Sequence, residues 1–216
     1  MNVVNTVSVE YISHMGDDTA IVNAARVSFA KAHDEFDETQ DTRLLNYLAK
    51  HNHWSPFAHT SISVRCSVPI FLARQLVKHQ VGGSWNEESR RYIDTEPVFY
   101  IPPILHGRPV NAKQGCNDEL QYTSPYVDLI QIASKAALEK YNTLLSSGIA
   151  PEEARMVLPL NTMTNFVWTG SLYFFARVIK QRSDFHAQTL AREFAEKLKV
   201  VIEPCYPHAF KALMEN

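Results

Sequence analysis

From Ser61 to Val68 the chain alternates without a break. Ile62, Val64, Cys66 and Val68 are apolar, and Ser61, Ser63, Arg65 and Ser67 between them are polar. Successive side chains of an extended chain point to opposite faces, so residues 60–68 predict a half-buried β-strand. Pro69 follows, and proline is well tolerated in the first turn of a helix. Ile70 to about His79 therefore predicts a short helix. It places Phe71, Arg74, Gln75 and Lys78 on one face, with His79 one turn beyond Gln75. Gly82-Gly83 ends it.

The same patterning predicts the other elements. Val3 to Ile12 reads as an opening strand. Asp17-Asp18-Thr19 caps a helix to about Ala30, with Ile21, Ala24, Ala25 and Ser28 at helical spacing. Asp34 to Asp41 reads as an exposed acidic loop feeding a helix from Thr42 to His51, and Ser55-Pro56 breaks the chain. Residues 93–124, with Pro97, Pro102, Pro103, Pro109 and Gly115, form a long excursion of a kind that is usually functional or mobile. A long helix runs from Pro125 to Ser147, closed by Gly148, and Pro151-Glu152-Glu153 opens a short one. Val157 to Trp168 is mixed and reads as a possible strand; Ser171 to Lys180 and Asp184 to about Val201 read as helices. Strands and helices without regular β-α-β alternation predict an α+β fold, mainly antiparallel sheet flanked by helices, in a single domain over 1–216.

Composition narrows the function classes. Hydrophobic residues make up 45% and charged residues 20%, as in soluble globular proteins. A formal net charge of −2 gives no global pull toward nucleic acid or an anionic membrane, so neither a nucleic acid polymer nor a membrane is expected as a partner. No apolar run reaches the length needed to span a bilayer, and Met1-Asn2-Val3-Val4-Asn5 lacks an export signal. Cys66, Cys116 and Cys205 are scattered without metal-type spacing, which points to a reducing compartment, the cytoplasm.

The candidate chemistry concentrates between Arg74 and Tyr92. Arg74, Lys78, His79, Arg90 and Arg91 surround a Gly-Gly turn together with Glu87, Glu88, Ser84, Ser89 and Trp85. Arginine forks match phosphate, and lysine adds a point charge. The competing account is a solvated face with surface ion pairs to Glu87 and Glu88; for the whole cluster the anion site is preferred. Ser89 lacks a Gly-x-Ser-x-Gly elbow and reads as a substrate contact rather than a nucleophile. Pro204-Cys205-Tyr206-Pro207-His208 resembles a catalytic thiolate's neighbourhood, yet a buried or loop cysteine is the better account. His51, His53 and His59 alternate with Trp54 and Phe57, which fits the wall of an aromatic-ligand site better than a zinc site, with a plain capping loop as competitor. Arg182-Ser183-Asp184 joins two predicted helices, where Ser183 or Asp184 is the N-cap, Arg182 points into a cleft, and His186 and Gln188 lie on the first turn. No metal site is expected, and the Gly-x-Gly-x-x-Gly dinucleotide fingerprint is absent.

Taken together, these segments resemble the flavin-dependent thymidylate synthases. The family signature reads Arg-His-Arg, seven residues, then Ser; here Lys78-His79-Gln80 is followed by eight residues and Ser89, with Asn86-Glu87-Glu88-Ser89-Arg90-Arg91-Tyr92 in register. Supporting segments are Ala24-Ala25-Arg26-Val27-Ser28-Phe29, His51-Asn52-His53-Trp54-Ser55-Pro56-Phe57, Pro69-Ile70-Phe71-Leu72-Ala73-Arg74-Gln75, Ala154-Arg155-Met156-Val157-Leu158-Pro159-Leu160-Asn161 and Arg182-Ser183-Asp184-Phe185-His186-Ala187-Gln188.

The resemblance implies reductive methylation of dUMP to dTMP. Methylenetetrahydrofolate would give the carbon, and FAD reduced by NADPH the hydride, in a homotetramer whose sites combine several subunits. It implies dUMP contacts at Gln75, Lys78, Glu87, Glu88, Ser89, Arg90, Arg91, Arg155 and Arg182. It implies FAD contacts at His53, Ser55, Lys78, His79, Gln80, Glu87, Ser171, Tyr173 and Arg177. Arg182 would act in catalysis, its fixed charge stabilising the attacked pyrimidine in place of a protein nucleophile. Lys78 and Gln80 stand where the signature has arginines, Gly83 is an insertion, and Arg177 stands where an amide is usual. The alternative function is a flavin- or nucleotide-binding oxidoreductase that has lost methylation.

Overall fold

The computed structural model describes residues 1–108 and 120–216. In chain order its elements are β1 (Asn2–Val4), β2 (Ser8–Met15), α1 (Asp18–Arg26), α2 (Gln40–Lys50), β3 (Ser61–Pro69), α3 (Ile70–Leu76), β4 (Gly83–Glu87), β5 (Val98–Tyr100), α4 (Ser124–Ser146), α5 (Pro151–Ala154), β6 (Met163–Gly170), α6 (Leu172–Arg182), α7 (Thr189–Ile202) and α8 (Pro207–Glu215). Short 3-10 turns lie at Val27–Phe29, Ser55–His59, Arg155–Val157 and Glu203–Cys205. The fold is α+β, as the patterning predicts. The main sheet has the order β2-β3-β6-β4, all neighbours antiparallel, and β1 pairs with β5 in a separate parallel ribbon.

The alternation in β3 is realised in full: Ile62, Val64, Cys66 and Val68 are all buried in the main core. They meet Phe166 and Trp168 of β6, and the inner faces of α6 and α7 close over them. A smaller cluster of Phe99, Leu138, Tyr141 and Ala154 holds α4 onto β5 and α5. Asp17 caps α1, accepting from the amide of Ala20 at 2.7 Å. Asp18 is nearly buried, and its two carboxylate oxygens accept the amides of His208 and Ala209, each at 2.9 Å, so it supplies acceptors to the otherwise unpaired first turn of α8. Gly148 stops α4 in the left-handed region at φ +81°. Among the described residues, no helix is long and apolar enough to cross a membrane.

Several expectations need correction. The opening strand splits in two, because Asn2–Val4 pairs with Val98–Tyr100 while Ser8–Met15 pairs with β3. The helix after Pro69 ends at Leu76, and Pro69 is the last strand residue and the N-cap rather than part of the first turn. The expected strand in Val157 to Trp168 starts only at Met163, since Arg155–Val157 is a 3-10 turn. The last predicted helix starts at Thr189, not Asp184. The Asp184 carboxylate accepts the amide of His186 at 2.8 Å and closes a turn of its own, so Ser183 is the C-cap of α6 and Gln188 the N-cap of α7. Asp41 is not part of an exposed loop: it is buried and ion-paired with Arg26. Strands β4 and β5 are too short to show a period, and helix α8 went unread although Ala209, Phe210, Ala212 and Leu213 fall on one buried helical face. Of the 93–124 excursion, Pro109, Gly115 and Cys116 lie outside the described residues.

Packing explains why position 83 is a glycine. Gly83 of β4 lies opposite Gly170 of β6, and the ring of Phe174 covers both. A Cβ at Gly170 would overlap Phe174 Cδ1 and come within 2.9 Å of Cγ; one at Gly83 would come within 2.5 Å of Cζ. The ring cannot retreat, because it packs edge-on against Trp168 at 5.3 Å and Phe175 at 5.0 Å. Gly170→Ala is therefore expected to cost about 1–3 kcal/mol, the usual range for overpacking a filled core. Denaturant titration reads this directly, and an unchanged midpoint would show that the ring has room.

Candidate active site

The end of α6 meets the end of α3. Arg182, in the last turn of α6, donates from Nε to Nε2 of His79 at 3.0 Å and from Nη2 to the carbonyl of Gln75 at 3.0 Å. A guanidinium only donates, so His79 Nε2 must accept and the imidazole must be neutral with its proton on Nδ1. Burial first, then the positive charges of Arg182 and Arg177, pulls His79 down to about 4. Burial also lowers Arg182, but an arginine keeps its charge at any physiological pH. The Gln75 carbonyl is one of the acceptors a helix leaves unpaired at its C-terminal end. The Gln75 side chain in turn hydrogen-bonds Gln188 at 2.7 Å. Arg182 is half-buried, and among the described residues its hydrogen-bond partners are all neutral, so no carboxylate cancels its charge.

A second group sits where β4 leaves the sheet. Glu87 accepts from Thr164 Oγ1 at 2.7 Å and from Trp85 Nε1 at 3.1 Å. Glu88 accepts from Asn165 Nδ2 at 2.7 Å, and its amide donates to the Asn165 carbonyl at 2.8 Å. Glu87, Glu88, Arg90 and Arg155 line one cavity of about 130 Å³ with Ile70 and Thr164. Arg90 is anchored on the Thr95 carbonyl at 2.8 Å and Arg155 on the Glu152 carbonyl at 3.1 Å. The surface ion pairs offered as the competing account do not form: among the described residues Arg90 and Arg91 make no salt bridge to Glu87 or Glu88, whose carboxylates are held by β6 and Trp85. Ser89 Oγ accepts from the Arg91 amide at 3.4 Å and from Arg91 Nε at 3.3 Å, and the Arg91 guanidinium lies 4.8 Å over the Tyr92 ring. Arg91 is exposed and outside that cavity.

A third group lies beside α2. His53, Tyr173 and Arg177 line a cavity of about 300 Å³ with Lys50, Trp54 and Lys180. The Trp54 and Tyr173 rings are 5.9 Å apart, and Arg177 stands 5.9 Å from the Tyr173 ring centre. The walls thus combine aromatic surface with cations and no acidic side chain, which suits a flat ring carrying phosphate. Ser171 is the N-cap of α6, its hydroxyl accepting from the Phe174 amide at 3.2 Å. Ser55, which opens the 3-10 turn Ser55–His59, and Lys78 and Gln80, in the segment after α3, are exposed and join none of the three groups. Among the described residues, no cluster of three histidine, cysteine or acidic side chains is placed to hold a metal. Burial raises both described thiols, Cys66 strongly, and Cys205 donates to the Val201 carbonyl at 3.7 Å, so neither is an activated thiolate.

Sequence reasoning missed Thr164 and Asn165 behind the two glutamates and Lys50 and Lys180 in the third group; it named Trp54 for an aromatic wall and placed Gln188 near a helix start, without its link to Gln75. Only Lys180 left a signal, since Tyr173, Arg177 and Lys180 repeat at i, i+4, i+7 on one helix face.

The comparisons with known proteins agree on one family. The model of the thymidylate synthase complementing protein family (Thy1) matches residues 10–208. A flavin-dependent thymidylate synthase of Thermosipho africanus is 34% identical over 206 residues, 94% of this chain and 89% of the relative. One of Thermus thermophilus is 35% identical over 208 residues, 96% of this chain and 76% of the relative. Among solved structures, the UMP/dUMP methylase PolB of Streptomyces cacaoi bound with 5-Br dUMP superposes with a TM-score of 0.90 at 30% identity, covering 100% of this chain and 97% of that one. A family model spanning nearly the whole chain, relatives above 30% identity and a shared fold agree with the altered Lys78-His79-Gln80 signature, and the chain belongs to the flavin-dependent thymidylate synthase family.

Proposed function

We propose that the protein methylates dUMP to dTMP, taking the carbon from methylenetetrahydrofolate and the hydride from FAD reduced by NADPH, and that it acts in the cytoplasm. The methyltransferase class follows from the family. The finer chemistry rests on one observation above all: Arg182 is a half-buried cation held, among the described residues, by neutral acceptors. Such a group is arranged to stabilise negative charge on a bound pyrimidine, and its preorganised charge costs no reorganisation when the ring is attacked. The described thiols and Ser89 are committed elsewhere, which fits substrate activation without a protein nucleophile.

In this reading Gln75 and Arg182 face the uracil, while Lys78, Glu87, Glu88, Ser89, Arg90, Arg91 and Arg155 hold the nucleotide, with Arg91 on the phosphate. His53, Ser55, Lys78, His79, Gln80, Glu87, Ser171, Tyr173 and Arg177 hold FAD, which when bound supplies the redox chemistry. Arg177, Lys50 and Lys180 offset the arginines absent at Lys78 and Gln80. The cavities holding Arg155 and Arg177 share no lining residue, and Tyr126, Leu129 and Ile132 form an exposed apolar stripe on α4. Both features favour a homotetramer in which one subunit completes another's site.

The test supplies purified protein with FAD, NADPH, methylenetetrahydrofolate and 5-tritiated dUMP. FAD uptake and tritium release are expected. A protein that takes up no FAD sinks the proposal, and NADPH oxidation without dTMP would leave only the oxidoreductase alternative. UMP belongs in the same assay, because a PolB structure bound with 5-Br UMP also superposes at a TM-score of 0.87 and 27% identity. This second reading, methylation of UMP as well as dUMP, predicts tritium release from both nucleotides.

A further inference from the structure

We propose that His79 is a positioning residue for Arg182, a neutral acceptor that fixes the direction of the guanidinium rather than only a wall for the cofactor. This rests on the reading that Arg182 activates the pyrimidine. Arg182 is long and flexible, and its two anchors are the Gln75 carbonyl and His79 Nε2, both at 3.0 Å. Together they occupy Nε and one Nη2 proton on one edge of the planar fork, and the remaining Nη protons point away from both.

A carboxylate at the same place would hold the arginine more tightly but cancel its charge. A neutral imidazole holds it and leaves the charge available. The surroundings keep the imidazole neutral: the charged groups that act on it are Arg182 and Arg177, both on α6, while the Trp168 ring of β6 lies 6.4 Å away. Uptake of a proton would convert the acceptor into a donor and release Arg182. His79 comes from the turn after α3, and nothing local in that turn needs an imidazole; its side-chain hydrogen bond is made to a residue 103 positions away.

A double-mutant cycle read at saturating FAD tests this. His79→Ala is expected to lower kcat on the order of 10²-fold, the size of effect that misplacing a catalytic group produces. His79→Gln, whose amide oxygen accepts but takes up no proton, should restore most of that loss and remove the acid limb of the kcat profile that His79 gives the wild type. On an Arg182→Ala background, His79→Ala should cost nothing more, because residues acting as a unit are not additive. The proposal is overturned if His79→Ala turns over like the wild type once FAD is saturating, if His79→Gln is no better than His79→Ala, or if the two losses multiply. Wild-type turnover by Arg182→Ala alone would instead remove the substrate-activation reading, and this proposal with it.

Discussion

Arg182→Ala is expected to lower turnover by about 10³-fold while the protein stays folded. Removing one preorganised donor from a charge-stabilising site typically costs about 10²–10³, and Arg182 contributes a full positive charge besides its donors. The fold should survive, because the residue is half-buried and its loss frees one imidazole nitrogen and one carbonyl, worth about 1 kcal/mol each. Arg182→Lys separates charge from geometry. Lysine keeps the charge but cannot reach two acceptors with a planar fork, so it should recover only part of the rate. Steady-state kinetics at saturating dUMP, with a melting curve as control, decides the matter. Turnover near wild type in the alanine variant would mean that the pyrimidine is activated by something else.

Arg26→Leu should destabilise the fold by about 3 kcal/mol. Asp41 is closed off from solvent, and its carboxylate is held by the Arg26 guanidinium and by the Asp37 amide at 2.9 Å. Breaking a buried pair on one side leaves an uncompensated charge, at about 3–5 kcal/mol. The lower end applies because the Arg26 side chain keeps 13% of its surface exposed, so the pair lies under a thin layer.

The pH dependence has a definite sign. Burial alone would raise Asp41, but Arg26 and then the Asp37 amide outweigh it and hold the group below the ordinary carboxylate range. A depressed acid contributes stability above its unfolded value, about 3.9, and loses it as pH falls through the folded one. In Arg26→Leu the buried acid is left with burial dominant and is eased by protonation. The gap between wild type and variant should be widest near neutral pH and narrow on acidification. A gap that is constant with pH would show that packing, not charge, sets the cost.

The site was legible in the sequence to the extent that each residue type announces its chemistry. Arg182, Gln75 and His79 were chosen by type and by family resemblance, and they do meet. Glu87, Glu88, Arg90 and Arg155 also share a cavity, as do His53, Tyr173 and Arg177. What could not be read was how each is held. Thr164 behind Glu87 and Gln188 behind Gln75 look like ordinary polar residues until the strands and helices pack. Asp184 looked like an N-cap because type alone does not say whether a carboxylate caps a helix or closes a turn.

By itself the sequence determined the strand over residues 60–68, the Asp17 cap and the long α4 with its glycine stop, because these depend on neighbours two to four positions apart, and the family signature, because it lies within one short stretch of chain. Only the tertiary structure decided that Gly83 and Gly170 share one phenylalanine ring, that Asp18 anchors α8, and that Arg182 rests on neutral acceptors. Those relations join residues as far as 191 positions apart. A periodic pattern records which face a residue occupies, and the path of the whole chain decides what that face meets.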